Sequence, residues 1–244
     1  MSFITSISRL AFCFLSLSIV LAPPLTANVW AESNVVASFE PPPDRDAPHG
    51  GTSGGGSRPV GTPCLSNPSA TSDALIGLSP GRHLGLTQAE RPNFLVYLPQ
   101  TTAKMAELSL FDEQMNGIYQ VNIPVGKAGL VSIRLPDTAP ALAQGKPYYW
   151  TFALACNPND RTDDWVVGGW LERSEPSDSL KQQLATATPL EQVSFYAQQG
   201  FWYDALTTLM ELQHTQPDNP ALAATWAQLL NSVGLDAIAT KPLD

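Results

Sequence analysis

Apolar residues between Leu75 and Arg173 come in short runs separated by turn residues at intervals of about ten, the rhythm of a β-sandwich. Phe94 to Leu98 is continuously apolar between Pro92 and Pro99 and predicts a central strand. Ala106, Leu108 and Leu110 alternate with Glu107 and Ser109, and Val131, Ile133 and Leu135 with Ser132 and Arg134. Each run predicts one buried and one wet face. Asn116-Gly117, between the runs ending at Asp112 and starting at Ile118, predicts a hairpin. From Tyr148 to Cys156 the period of two places Trp150, Phe152, Leu154 and Cys156 on one inward face. Trp165 to Arg173 predicts a last strand, in which Gly168-Gly169 marks a bulge or a close backbone approach.

From about Asp178 the apolar period lengthens to that of a helix. Thr188-Pro189-Leu190-Glu191 is a capping box with proline in the first turn; Val193, Ser194 and Ala197 continue the stripe begun by Leu190, and Gly200 closes it. Trp202, Ala205, Leu206, Leu209 and Leu212 form the stripe of a second helix ending before Pro217. Asn219-Pro220 opens a third, whose face is Leu222, Trp226, Leu229, Leu230 and Val233 and whose end is Gly234. Tyr196, Gly200, Ala205 and Pro217 are spaced as in a tetratricopeptide repeat, and Gly200 to Gly234 spans its period of about 34 residues. One and a half such repeats cannot bury their faces alone, so the tail is expected to pack on the β body.

The expected fold class is α+β: an immunoglobulin-like or fibronectin-like β-sandwich over 64–175, then a tetratricopeptide-like helical tail over 176–236 and a disordered terminus over 237–244. In front stand two further segments. Arg9 precedes the uncharged apolar run Leu10 to Leu21, too short to span a bilayer, and Val29-Trp30-Ala31 offers a cleavage site, so 1–31 reads as a signal peptide. Phe12 is too bulky for Cys13 to be a lipidation site. Residues 32–63 turn rich in Pro, Gly and Ser and read as a flexible linker. The match to a hydrolase nucleophile elbow at Gly51-Thr52-Ser53-Gly54-Gly55 lacks the strand and helix that such a motif needs.

The formal charge of −9 becomes one unit more negative when Arg9 leaves with the leader, a surface that repels nucleic acid. No later segment has the roughly 20 apolar residues of a membrane span. The expected location is therefore periplasmic or extracellular. In that oxidising space Cys64 and Cys156 are expected to form a disulfide, closing a loop of about ninety residues that chain entropy values at about 4–5 kcal/mol. No cofactor is expected, and no metal: His49, His83 and His214 are scattered and none stands at ligand spacing from a cysteine.

Three groups are candidates for function. Asp160, Asp163 and Asp164, with Asn157 and Asn159, have the oxygen donors that calcium prefers, but lack the glycine and terminal glutamate of an EF-hand. A solvated turn in which Arg161 pairs with a neighbouring aspartate and Asn157 or Asp160 caps the turn accounts for them better. Glu90, Arg91, Arg161, Glu172 and Arg173 are expected to form a structural charge network clamping the β domain to the helices. Tyr196, Trp202 and Tyr203 crowd the tail, where repeat hairpins present aromatic side chains to a partner and where helix cores also place them. No residue pair is placed for acid–base work, and Gly126-Lys127 and Gly145-Lys146 lack the rest of a phosphate loop. A non-enzymatic protein- or peptide-binding or scaffolding module is expected, its partner another periplasmic or envelope protein. The alternative is a carbohydrate- or calcium-binding sandwich of the cell envelope.

The ordered pieces Gly85-Leu86-Thr87 through Glu90-Arg91-Pro92, Phe94 to Pro99, Gly145-Lys146 to Cys156, Asp160-Arg161, Gly169-Trp170 with Glu172-Arg173, and Tyr203-Asp204-Ala205-Leu206 together resemble a cyanobacterial family carrying the domain of unknown function number 928. The resemblance covers about Cys64 to Gly234. It implies an exported, periplasmic protein and brings no reaction and no catalytic residues with it.

Overall fold

The computed structural model describes residues 36–48, 64, 74–157 and 159–241. The leader expected at 1–31, the lone Cys13 and the elbow-like Gly51–Gly55 stretch lie outside them. Mixed α and β content is arranged as two sheets and five α-helices among the described residues. The smaller sheet is antiparallel: β3 (Asn93–Leu98) runs between β1 (Ile76–Gly77) and β6 (Gly129–Arg134). Pro92 and Pro99 bound β3 because neither can donate to a ladder. The larger sheet has the order β2-β8-β7-β4-β5. Its strands are β2 (Gly85–Thr87), β4 (Met105–Asp112), β5 (Gly117–Pro124), β7 (Pro147–Ala155) and β8 (Trp165–Arg173). All neighbours are antiparallel except β2, which runs parallel to β8.

Period two decides which side chains meet between the sheets. Trp150, Phe152 and Leu154 of β7 and Ala106, Leu108 and Leu110 of β4 are all almost wholly buried, and Phe94 of β3 stacks on Trp150 with ring centroids 4.9 Å apart. Cys156 follows directly after β7 and is bonded to Cys64 across a Cα–Cα distance of 5.1 Å. The Cys64 carbonyl accepts from Thr102 N at 3.0 Å and Thr101 Oγ1 at 2.6 Å, so the bridge ties the end of β7 to the β3–β4 connection.

Gly168 and Gly169 mark a close approach. A Cβ at Gly168 would stand 2.2 Å from the Trp150 carbonyl oxygen, and one at Gly169 would stand 2.4 Å from Ser79 Cβ. The β7–β8 register runs through them unbroken; the bulge of this sheet falls between Leu110 and Phe111 on the β4–β5 side. The β4–β5 hairpin closes where Asn116-Gly117 predicts it. Asp112 accepts from the amides of Gln114 and Asn116 and from Asn116 Nδ2, and Met115 takes the left-handed position at φ 64°.

The helices are α1 (Asp178–Thr186), α2 (Pro189–Gln198), α3 (Trp202–Thr215), α4 (Pro220–Asn231) and α5 (Asp236–Ala239). Thr188 and Glu191 form both halves of the capping box that starts α2, and Asn219 accepts from Ala221 N to start α4. The short α5 corrects the expectation of disorder over 237–244 as far as Lys241. Ile238 and Ala239 are buried, so this turn has apolar surface to offset the entropy of ordering.

The flexible linker expected over 32–63 is corrected over 36–48. These residues form an extended strap with Ala37, Phe39 and Pro42 buried. A composition dominated by proline hides two facts: Val36 to Glu40 alternates outward and inward side chains, and Pro41-Pro42-Pro43 is stiff, which lowers the entropy lost on docking.

Gly168→Ala tests the sheet geometry, because its methyl group would collide with main chain that β-pairing holds in place. Unfolding free energy from urea denaturation is expected to fall by about 3 kcal/mol.

Candidate functional site

The corner between α2 and α3 joins the strap, the helices and the β body through specific contacts. Gly200 makes the corner at φ 79°, a conformation that side chains oppose, and a Cβ there would also lie 2.9 Å from Pro42 of the strap. The turn then delivers Phe201, Trp202, Tyr203 and Asp204 in succession onto the β body.

Trp202 and Tyr203, candidates for partner contact that helix packing could equally claim, are buried at 0% and 1% exposure, so the structure corrects the partner reading for both. The correction has a physical cause: both indole and phenol find hydrogen-bond partners inside. Trp202 Nε1 donates to the Leu78 carbonyl at 2.9 Å, and its ring takes Phe39 edge-on at 5.4 Å. Tyr203 Oη accepts from Trp150 Nε1 at 2.8 Å and donates to the Trp170 carbonyl at 3.2 Å. Burial pushes this phenol well above its ordinary range, so it stays protonated. The fit leaves room only for glycine at position 85, where a Cβ would stand 2.7 Å from Tyr203 Cε2. Tyr196 alone of the three reaches solvent; its hydroxyl accepts from Gln88 Nε2 at 2.9 Å.

Sequence reasoning passed over Asp204 and Gln88. The Gln88 amide donates to both Asp204 oxygens, at 3.3 and 3.1 Å, which fastens the first turn of α3 to the segment following β2. Burial pushes the Asp204 carboxyl up to about 7 despite these bonds and a further one from Thr87. The only sequence signal was an acidic residue in the first turn of a helix.

Over this corner lies the strap, received mainly by side chains. Ser194 Oγ donates to the Val36 carbonyl at 2.5 Å, Ala37 N donates to Gln228 Oε1 at 3.4 Å, and Phe39 N donates to Ser232 Oγ at 2.9 Å. Glu40 N donates to the Ala197 carbonyl at 3.0 Å. Farther on, Asp46 bridges to His83, and Arg45 binds Glu172 at 2.6 Å and Ser174 Oγ at 3.0 Å. An extended peptide thus crosses α2 and α4 and ends on the edge of the larger sheet.

The remaining candidates disperse. Asp160 accepts from Thr162 N and Oγ1 and starts the 3-10 turn Arg161–Asp163. Asp164 is bound by Arg161 Nε, and Arg161 also reaches Glu107 at 3.3 Å. Asp160, Asp163 and Asp164 are therefore not brought together as ligands, and among the described residues no cluster of three acidic, His or Cys groups could hold a metal. The expected clamp between β domain and helices is corrected as well. Arg173 binds Glu90 at 3.0 Å and the Leu142 carbonyl at 3.1 Å, and Arg91 binds the Ala139 carbonyl at 3.2 Å, so these residues hold a loop of the β body itself. Glu172 serves the strap, and Arg161 stands apart. Glu90 is 54% exposed, so its pairs contribute little to stability.

The chain belongs to the family whose model is described as Domain of Unknown Function (DUF928), which matches residues 53–243. No curated protein and no solved structure matches it. Among the described residues no helix is long and apolar enough to cross a membrane.

Asp204 makes stability depend on pH with a definite sign. Its folded carboxyl titrates near 7 against an ordinary 3.8, so the folded state holds the proton more tightly. The contribution is complete below the lower value and is lost as pH rises through the higher one. Between about pH 4 and pH 8, wild-type stability measured against Asp204→Asn is expected to fall by about 2 kcal/mol or more. Urea denaturation of both proteins at several pH values checks it.

Proposed function

We propose that this protein is a peptide-binding module of the periplasm or cell exterior, without catalytic activity of its own. In this reading an immunoglobulin-like pair of sheets is the base and a tetratricopeptide-like layer, α2 to α4, is the receptor. The observation that carries it is the strap: the helical layer already holds an extended peptide. The main chain of that peptide is received by Ser194, Gln228 and Ser232. Main-chain capture sets direction and register, while the buried positions of Ala37, Phe39 and Pro42 set selectivity for a small residue, an aromatic and a proline. A partner segment with that pattern competes with the strap for the same seat.

A binder fits the use of titratable groups better than an enzyme does. Asp160 and Asp164 are taken up by a turn cap and an ion pair, and Asp204 faces amide donors of its own chain. A pair of groups with separated proton affinities facing a common opening, which acid–base chemistry uses, is not what these residues form.

The test is a chain lacking residues 32–48, checked for folding by circular dichroism and titrated calorimetrically with a synthetic peptide of residues 34–47. Saturable binding is expected, weakened about tenfold or more when the peptide carries Phe39→Ala, since that ring contributes about 1.5–3 kcal/mol of burial. The full-length Phe39→Ala chain is expected to take up the same peptide more readily than wild type, whose seat is filled. A folded truncated chain that ignores the peptide removes the reading.

A further inference from the structure

Sheet edges are exposed templates for pairing, and this molecule treats its edges unequally. β2, at one end of the larger sheet, is only three residues long, and Leu86 N is already bound by the Gly200 carbonyl at 2.8 Å. In the smaller sheet β1 has two residues, and β6 carries the exposed Arg134. β5 differs from all of them. It is eight residues long, it ends the larger sheet, and among the described residues only β4 pairs with it. From Gly117 to Ile123 it contains no charge and no proline, two of the devices that blunt an edge.

The direction of its free groups follows from the ladder. Val125 N donates to the Lys104 carbonyl at 3.0 Å, so by alternation the main-chain groups of Val121 and Ile123 face β4, and those of Gln120 and Asn122 face outward. The side chains alternate as well. Tyr119, Val121 and Ile123 stand opposite Leu110, Leu108 and Ala106 and continue the core face; Gln120 and Asn122 are exposed on the other.

We propose that β5 is a self-association edge, pairing antiparallel with β5 of a second copy about a two-fold axis through Val121. A two-fold perpendicular to the sheet keeps each face on its own side, so opposed residues must share parity, and only a centre on a residue allows that. Centred on Val121, the outward main-chain groups of Gln120 meet those of Asn122 in the second copy and exchange hydrogen bonds in both directions. On the core face Tyr119 meets Ile123 of the second copy, an aromatic and β-branched pair of the kind that stabilises sheets, and Val121 meets itself. On the outer face the two amide side chains are opposed. Pro124, with no N–H, and the bulge beside Ile118 limit the pairing to the five residues between them. So short a contact makes a weak, concentration-dependent dimer rather than an obligate one.

Light scattering coupled to size exclusion, over a series reaching about 100 µM, tests the edge and its register together. Wild type is expected to shift from monomer toward dimer. The double variant Gln120→Lys with Asn122→Lys places lysine against lysine in both pairs and is expected to stay monomeric. Gln120→Glu with Asn122→Lys places glutamate against lysine in both pairs and is expected to dimerise, more weakly as salt is added. Both variants change exposed side chains, and lysine at 122 faces Glu107 on β4, so the fold tolerates them. A wild type that remains monomeric throughout overturns the proposal. So does a dimeric lysine pair, which would place the contact elsewhere, or a folded glutamate–lysine variant that fails to associate, which would exclude this register.

Discussion

One buried hydroxyl group holds the two halves of this molecule together. Tyr203 Oη lies between the Trp150 indole of β7 and the Trp170 carbonyl of β8, accepting from one and donating to the other. Three polar groups are taken out of water at once, and each would cost roughly 1–3 kcal/mol if left alone. Their mutual satisfaction makes α3 the helix that can lie here, in this orientation. The surrounding sterics enforce the same choice: Gly85 makes way for the phenol ring, Gly169 makes way for Ser79, and Phe94 packs against both Trp150 and Tyr203. Once α3 is seated, the position of α2 follows through the Gly200 corner.

Local periodicity makes much of this architecture legible in the sequence. β8 begins and ends where its apolar run does, β7 agrees to within a residue, and the α2 start follows from four consecutive side chains that cap one another. Such signals are short range, and the chain spells them out in adjacent residues. What stayed hidden depends on pairs far apart. That Tyr203 is a core residue is settled by Trp150 and Trp170, neither of which announces a tyrosine partner. β2 pairs in parallel with β8 through three residues, too few to show a period. α1 buries only Leu180, so its stripe is faint.

The site shows the same division more sharply. Gly200 and the capping box were legible because each has a local geometric meaning. The strap was not, because proline-rich composition speaks of the free chain, while docking depends on Ser194, Gln228 and Ser232 at the far end of the polypeptide. The charged candidates misled for a related reason. Residue type says that Asp160, Asp163 and Asp164 could share an ion; backbone conformation decides that one caps a turn, one answers an arginine, and no shared centre results.

The strap contacts Ser232 across 193 residues of sequence. Bringing such distant ends together carries a loop-closure cost that nearer contacts do not. During synthesis the segment from Val36 to Glu40 emerges early, yet its seat is incomplete until α4 has been made and packed. A stretch made well before its own seat is thus among the last to settle, and for that interval Phe39 stays available to whatever the nascent chain meets.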